Sequence, residues 1–245
     1  MKIRVFTAFS GYDSQCMALD MLRNNHTDFD YELVGWSEID DNAIKMHSIF
    51  YPEYKKRNFG DISKINWDDV PDFDMFTYSF PCQDISTAGM QRGFTEDGGT
   101  RSSLLWECKK AIRNKKPRIL VMENVKALVQ KRFLPDFQKW LNFLEEEGYT
   151  NFYKVTNAKD FGIPQNRERV FCVSILDCQD EYVFPEPIPL ELRLEDMLDD
   201  EDNIPLDYYI DTKKVEQFCE INKKKLCEEM GLDFVQHASL PFQNA

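Results

Sequence analysis

The chain has 245 residues, 42% of them hydrophobic and 13% aromatic, enough to bury one sizeable core and short for two full domains. Thirty Lys and Arg against 43 Asp and Glu give a formal charge of −13, which argues against a nucleic-acid binder working by bulk electrostatics and against a basic membrane-surface protein. No run approaches the 18 or so apolar residues of a membrane span and the N-terminus has no signal-peptide cleavage pattern, so a soluble, intracellular protein is expected.

The first 175 residues alternate strand-like and helix-like patterns. Residues 3–9 form an apolar run of β-rich composition, and residues 14–24 carry Met17, Leu19 and Leu22 at helical spacing. Residues 31–38 read as a strand, 41–50 as a helix, and a further strand is expected to end near Asp61. Residues 75–79 are short and apolar, 102–114 helical, 119–123 a buried strand, and 135–147 a helix with Phe137, Trp140, Leu141 and Leu144 inward. Residues 152–156 and 170–176 can pair as a terminal hairpin. Strands separated by helices of 10–15 residues imply βαβ units: an α/β fold with a mostly parallel sheet and helices on both faces.

Charge and composition then change. Residues 177–211 hold 13 acids and one base, Arg193, so almost the whole excess of −13 lies in this stretch. It opens with three prolines between Phe184 and Pro189 and reads as a boundary and an acidic connector. A helix is expected over 212–230. The seven cysteines are scattered without a CxxC pair, and only three histidines accompany them, so neither a disulfide framework nor a structural metal is expected.

Parallel sheets bind ligands at the carboxyl ends of their strands, so the residues standing there carry the argument. After the first strand comes Phe9-Ser10-Gly11-Tyr12, where a glycine lets a ligand approach the backbone. The absence of GxGxxG disfavours a pyrophosphate-gripping NAD site. The second strand ends at Glu38, placed to accept both hydrogen bonds of a ribose diol, and Asp61 is placed to accept from an adenine amino group. Together these suggest an adenosine-containing cofactor without a diphosphate. Cys82, fixed by Pro81 on a loop at the active edge, is a candidate nucleophile. Glu123 ends the adjacent strand; buried beside a reactive thiol it would serve as a proton donor. Arg167 and Arg169, at i and i+2 on an extended segment, point the same way. They form either a surface ladder with Glu168 or a pair of fixed cations for an anionic or carbonyl-rich substrate.

In this order FSGYDS, SEID, GDI, SFPCQDIS, RSSLLWE, MENV and QNRERVF resemble the motifs of the C5-cytosine DNA methyltransferases. The resemblance covers about residues 1–176 and implies a Rossmann-like sheet binding S-adenosyl-L-methionine, with S-adenosyl-L-homocysteine as product. It implies that Cys82 attacks C6 of a cytosine flipped out of double-stranded DNA, that Glu123 contacts N3, and that Arg167 and Arg169 orient the base and its flanking backbone. C5 then takes the methyl group, and loss of its proton expels the cysteine. Phe9, Ser10, Gly11, Tyr12, Glu38, Ile39, Asp61, Ile62, Pro81 and Leu104 match cofactor-contacting positions. The same resemblance implies a cytoplasmic enzyme of bacterial or phage type, with RNA cytosine methylation or a non-catalytic half as alternatives.

Two departures stand out. Asp13 and Ser14 occupy positions where the family usually has further glycines. The chain also ends at Ala245 without the family's late motifs, so residues 212–245 read as the start of a target-recognition lobe. A truncated gene, an incomplete sequence, or a split enzyme whose second chain supplies the rest are the three expectations.

Overall fold

The computed structural model describes residues 2–86, 92–96 and 98–200, with 204, 205, 213, 216, 217 and 219–222 beyond them. They divide into two units, one running to Leu192 and one beginning at Arg193. The helix expected over 212–230 lies largely outside the described residues.

The first unit is an α/β sandwich on a six-stranded sheet. Its strands are β1 (Lys2–Ala8), β2 (Asp30–Ser37), β3 (Met75–Tyr78), β4 (Ile119–Val125), β5 (Tyr149–Asn157) and β6 (Glu168–Leu176), in the spatial order β2-β1-β3-β4-β6-β5. The first four are parallel; β6 runs antiparallel to both β4 and β5. The helices are α1 (Ser14–Asn25), α2 (Asp41–Phe50), α3 (Cys108–Lys115) and α4 (Leu134–Glu146). The order of strand addition reverses at β1, with β2 placed on one side of it and β3 on the other, which is where open α/β sheets form ligand crevices.

The core follows from the strand sequences. Val5, Phe6, Thr7 and Ala8 are all buried, because a central parallel strand is covered on both faces. Phe6 packs with Phe59, Trp67, Phe73 and Phe76 at ring-centroid distances of 5.2–6.0 Å, and with Phe76, Tyr78, Leu120 and Met122 it builds the larger core together with α3 and α4. Phe137, Trp140, Leu141 and Leu144 point inward from α4, as their spacing predicts, with Phe143 beside them. Val5, Leu33 and Trp36 meet Cys16 and Leu19 of α1 in the second, smaller core. No helix among the described residues is long and apolar enough to cross a membrane.

Two expectations change. The strand expected to end near Asp61 is reduced to one parallel bridge, Trp36 to Asn58. The Asn58 side chain takes the place of a longer ladder: its Oδ1 accepts from the N–H groups of Glu38 and Gly60, and its Nδ2 donates to the Glu38 carbonyl at 3.1 Å. The segment 102–114 is not one helix. Arg101–Glu107 winds as a 3-10 helix before α3 begins, so Ser102 and Leu105, three apart, share a buried side. On α1, formed where the spacing predicts, Leu19 is buried while Leu22 is half exposed and lines a cleft.

Candidate active site

The turn after β1 is built from left-handed residues: Phe9 (φ 55°), Gly11 (φ 58°) and Asp13 (φ 67°). No atom stands within 4 Å of the position a Gly11 Cβ would take, so a ligand can approach this backbone. Phe9 at positive φ is strained for a bulky residue, a cost concentrated at sites whose surroundings over-determine the backbone. Thr7 Oγ1 lies 2.9 Å from Ser10 Oγ, which also donates to the Thr7 carbonyl at 3.0 Å. Asp13 caps α1 by accepting from Cys16 N.

Glu38 ends its strand as expected, but its carboxylate is already engaged. Oε2 accepts from Gly11 N at 2.9 Å, and Oε1 accepts from Ile39 N at 2.7 Å and Asp40 N at 2.9 Å. The second strand end and the first turn are thus joined through one side chain. Ile39 is exposed and Ile62 buried. Asp61 sits after the Asn58 bridge as the cap of a short 3-10 turn. Hydrogen bonds from the Ser63 hydroxyl and N–H hold its carboxyl below the ordinary range.

Cys82 follows β3 on a loop gripped at each preceding carbonyl. Asn124 Nδ2 donates to the Phe80 carbonyl at 2.9 Å, and Ser102 Oγ donates to the Pro81 carbonyl at 2.5 Å. The carbonyl of Cys82 itself accepts from Ile85 N and Ser86 N. Asp84, buried, accepts from Arg92 Nε at 2.7 Å and Arg101 N at 3.1 Å, and the Arg92 guanidinium holds its carboxyl below the ordinary range. From α1, Gln15 Nε2 reaches Ser79 Oγ at 3.0 Å and links the first turn to this loop. Cys82 is partly exposed, whereas Cys16, Cys108 and Cys172 are buried; burial pushes the thiols of the first two far up and that of Cys172 up to about 12.

Glu123, at the end of β4, is less buried than the sequence reading expects. Its side chain is 26% exposed and pairs with Arg169 Nε at 3.0 Å. The pairing follows from register: antiparallel β6 sets Arg169 opposite Val125, two residues from Glu123 and on the same face. Glu168 pairs with Lys126 instead, so the two arginines are not a ladder with Glu168. Arg167 is exposed, its backbone N–H donating at 3.0 Å to Asn157 Oδ1.

A cleft of about 720 Å³ brings together Phe9, Ser10 and Tyr12 of the first turn with Glu123, Arg167 and Arg169, floored by Thr77 and Val121 of the sheet. Cys82, Pro81, Gly11, Glu38, Ile39, Asp61, Ile62 and Leu104 are not on its wall. A second, polar groove beside it is lined by Ser86, Lys126, Gln165 and both arginines. Asn58, Ser102, Asn124, Asn157 and the Asp13–His47 pair were not assigned roles from sequence. For Asn58, Asn124 and Asn157 the only local signal is the residue type, a short polar side chain at or beside a strand or bridge; Ser102 and His47 carry none.

The fold and the site define a class, and the comparison with known families agrees: the family described as C-5 cytosine-specific DNA methylase matches residues 3–238, and the chain belongs to it. The type II methyltransferase M2.ScrFI of Lactococcus lactis subsp. cremoris is 41% identical over 87% of this chain and 71% of its own length. The orphan methyltransferase M.SssI of Spiroplasma monobiae is 32% identical over 72% of this chain and 60% of its own. The chain thus spans only part of each relative. Among solved structures, the Entamoeba histolytica methyltransferase EhMeth matches with a TM-score of 0.66 at 17% identity, over 87% of this chain and 64% of that one, and shows the shared fold.

Proposed function

We propose that this chain carries the catalytic domain of a DNA (cytosine-5)-methyltransferase. The observation that carries the reading is the hydrogen bond from Asn124 to the Phe80 carbonyl, which ties the loop bearing Cys82 to the strand end that carries the Glu123–Arg169 pair. Cytosine C5 is a weak nucleophile until a thiolate adds at C6; Cys82 Sγ supplies that addition. Glu123, oriented by Arg169, faces N3 of the ring and, as a carboxylic acid, donates a proton there as negative charge develops on thiolate addition. C5 then takes the methyl group as its bond to the donor sulfur breaks, and loss of the C5 proton to water restores the C5–C6 double bond and releases Sγ as a thiolate. The base must leave the duplex for the thiolate to reach the ring face, at a cost of a few kcal/mol recovered in the cleft.

The residues present fit an adenosine-bearing methyl donor. The space in front of Gly11 is open, Phe9 and Tyr12 offer aromatic faces, and Glu38 retains acceptor capacity on Oε2. S-adenosyl-L-methionine, when bound, supplies an electrophilic methyl group. Ile39, Asp61, Ile62, Pro81 and Leu104 complete the proposed cofactor contacts. Double-stranded DNA is the proposed partner, the cytoplasm the proposed location, and residues 212–245 the proposed start of a target-recognition lobe.

Transfer of labelled methyl groups to duplex DNA, with RNA of the same sequence in parallel, tests the reading. Wild-type protein labels DNA and forms a covalent adduct with a 5-fluorocytosine duplex, and C82A does neither. Labelling that survives C82A, or confinement of labelling to RNA, overturns it.

A further inference from the structure

Asp13 closes the turn after β1, and its side chain is wholly buried. Burying a carboxylate is costly unless its lone pairs are filled. Three donors meet it from three directions. Thr7 Oγ1 of β1 lies 2.8 Å from Oδ2, Cys16 N of α1 lies 3.3 Å from Oδ1, and His47 Nε2 of α2 lies 3.2 Å from Oδ2. Its own N–H donates to the Ser10 carbonyl at 2.7 Å, closing the turn across Gly11 and Tyr12. One residue therefore ties the end of β1, the turn and α1 to a helix that follows in the chain only after β2.

His47 is as buried as its partner and has one visible task. Its ring stacks on Trp36 of β2 at 3.7 Å with an interplanar angle of 12°, which fixes the imidazole plane. Nε2 is aimed at Asp13, and Nδ1 has no hydrogen-bond partner among the described residues. A polar ring buried at the expense of one nitrogen is retained for the bond made by the other. The left-handed backbone of Asp13 is a state that non-glycine residues hold when their side chains are tied locally.

We infer that Asp13 and His47 are positioning residues for the cofactor turn: they set the shape of residues 9–12 from behind and thereby the affinity for the adenosine-bearing donor. This rests on the cofactor reading above. Neither side chain touches the cleft, whereas Ser10 and Tyr12, held between Thr7 and Asp13, line it. The role of glycine, a turn free to take positive φ, is here performed by hydrogen bonding to α2.

The test compares wild type with His47→Phe, which keeps a stacked ring and removes the donor, His47→Gln, which keeps an N–H donor, and Thr7→Val, which keeps shape and removes the second donor. Each is measured by calorimetric titration with S-adenosyl-L-homocysteine and by cofactor KM and kcat. His47→Phe is expected to raise Kd and KM about tenfold and leave kcat at saturating cofactor within about threefold. Thr7→Val shifts Kd the same way, and His47→Gln returns it to within about threefold of wild type. A purely structural pair would lower thermal stability without moving Kd. Unchanged Kd in folded His47→Phe and Thr7→Val overturns the inference, and Thr7→Val decides alone where His47→Phe does not fold. Wild-type protein that binds no S-adenosyl-L-homocysteine overturns the cofactor reading itself, and the inference with it.

Discussion

The side-chain amide of Asn124 donates to the carbonyl of Phe80 at 2.9 Å, while its oxygen accepts from Val125 N at 2.9 Å. The end of β4 therefore grips the backbone two residues ahead of Cys82. Asn124→Ala leaves the buried Phe80 carbonyl without this partner, which costs about 1–3 kcal/mol. We predict a loss of stability of that size in urea and a fall of about tenfold to a hundredfold in the single-turnover rate of methyl transfer, since small displacements of a reacting group are expensive. A wild-type rate in Asn124→Ala would show that the loop holds its place without the clamp.

Gly35 sits in β2 with no room for a side chain. A Cβ there would stand 2.8 Å from Phe59 Cε2 and 2.8 Å from Phe6 Cε2. Gly35→Ala is predicted to destabilise the fold by about 1–3 kcal/mol through overpacking. The urea midpoint measures it, and an unchanged midpoint would mean that both rings can move aside.

Glu147, at the end of α4, accepts from Lys116 Nζ and from Arg113 Nε at 2.7 Å, and these bonds hold its carboxyl below the ordinary range. A carboxyl whose pKa is lower folded than unfolded contributes stability that is complete above its unfolded pKa, about 4.3. That contribution is lost as pH falls through the folded value. The stability difference between wild type and Glu147→Gln, up to about 1 kcal/mol for an ion pair so near the surface, is therefore expected to persist at pH 6 and vanish towards pH 3. Urea titrations at several pH values check the sign; a gap that widens on acidification would contradict it.

The charge excess lies in residues 177–211, and residues 1–175 carry 24 bases against 25 acids. Several bases near the site are also engaged: Arg92 with Asp84, Arg101 with Gln83, Lys126 with Glu168. DNA binding by this chain alone is predicted to be weak and steeply salt-dependent, each phosphate neutralised adding about −0.9 to the slope of log K against log salt. Arg167→Ala should reduce that slope by about one. Anisotropy with a short duplex across a salt series measures both, and tight, salt-insensitive binding would refute the prediction.

The sheet and its helices were legible in the sequence because apolar runs and helical spacing report burial directly, as the inward face of α4 shows. The placement of Cys82 on a loop after β3 was legible because Pro81 follows a short apolar strand and no periodic helix begins there. What remained hidden was the set of polar contacts made across long stretches of chain. Asn58 standing in for a strand, Asp13 meeting His47 34 residues away, and Asn124 reaching back 44 residues to Phe80 follow from tertiary approach, which no local pattern encodes. The exposure and the partner of Glu123 are hidden for the same reason: both depend on the direction of β6, and that direction decides what stands opposite.

That reversed strand has an architectural consequence. In a parallel sheet only residues that follow a strand reach the edge where chemistry occurs; because β6 runs backwards, residues that precede it arrive there too. The two ends of the β5–β6 hairpin therefore serve separate purposes. The connection between Asn157 and Glu168 borders the cleft, which Ala158, Phe161 and Arg167 line, while Gly148 and Asp177, hydrogen-bonded to each other through Asp177 N and the Gly148 carbonyl, lie at the opposite rim. New chain termini opened at Gly148, as in a circular permutant, would sit away from the cleft, whereas a cut between 158 and 167 would break the segment leading to Arg167 and Arg169 on its wall.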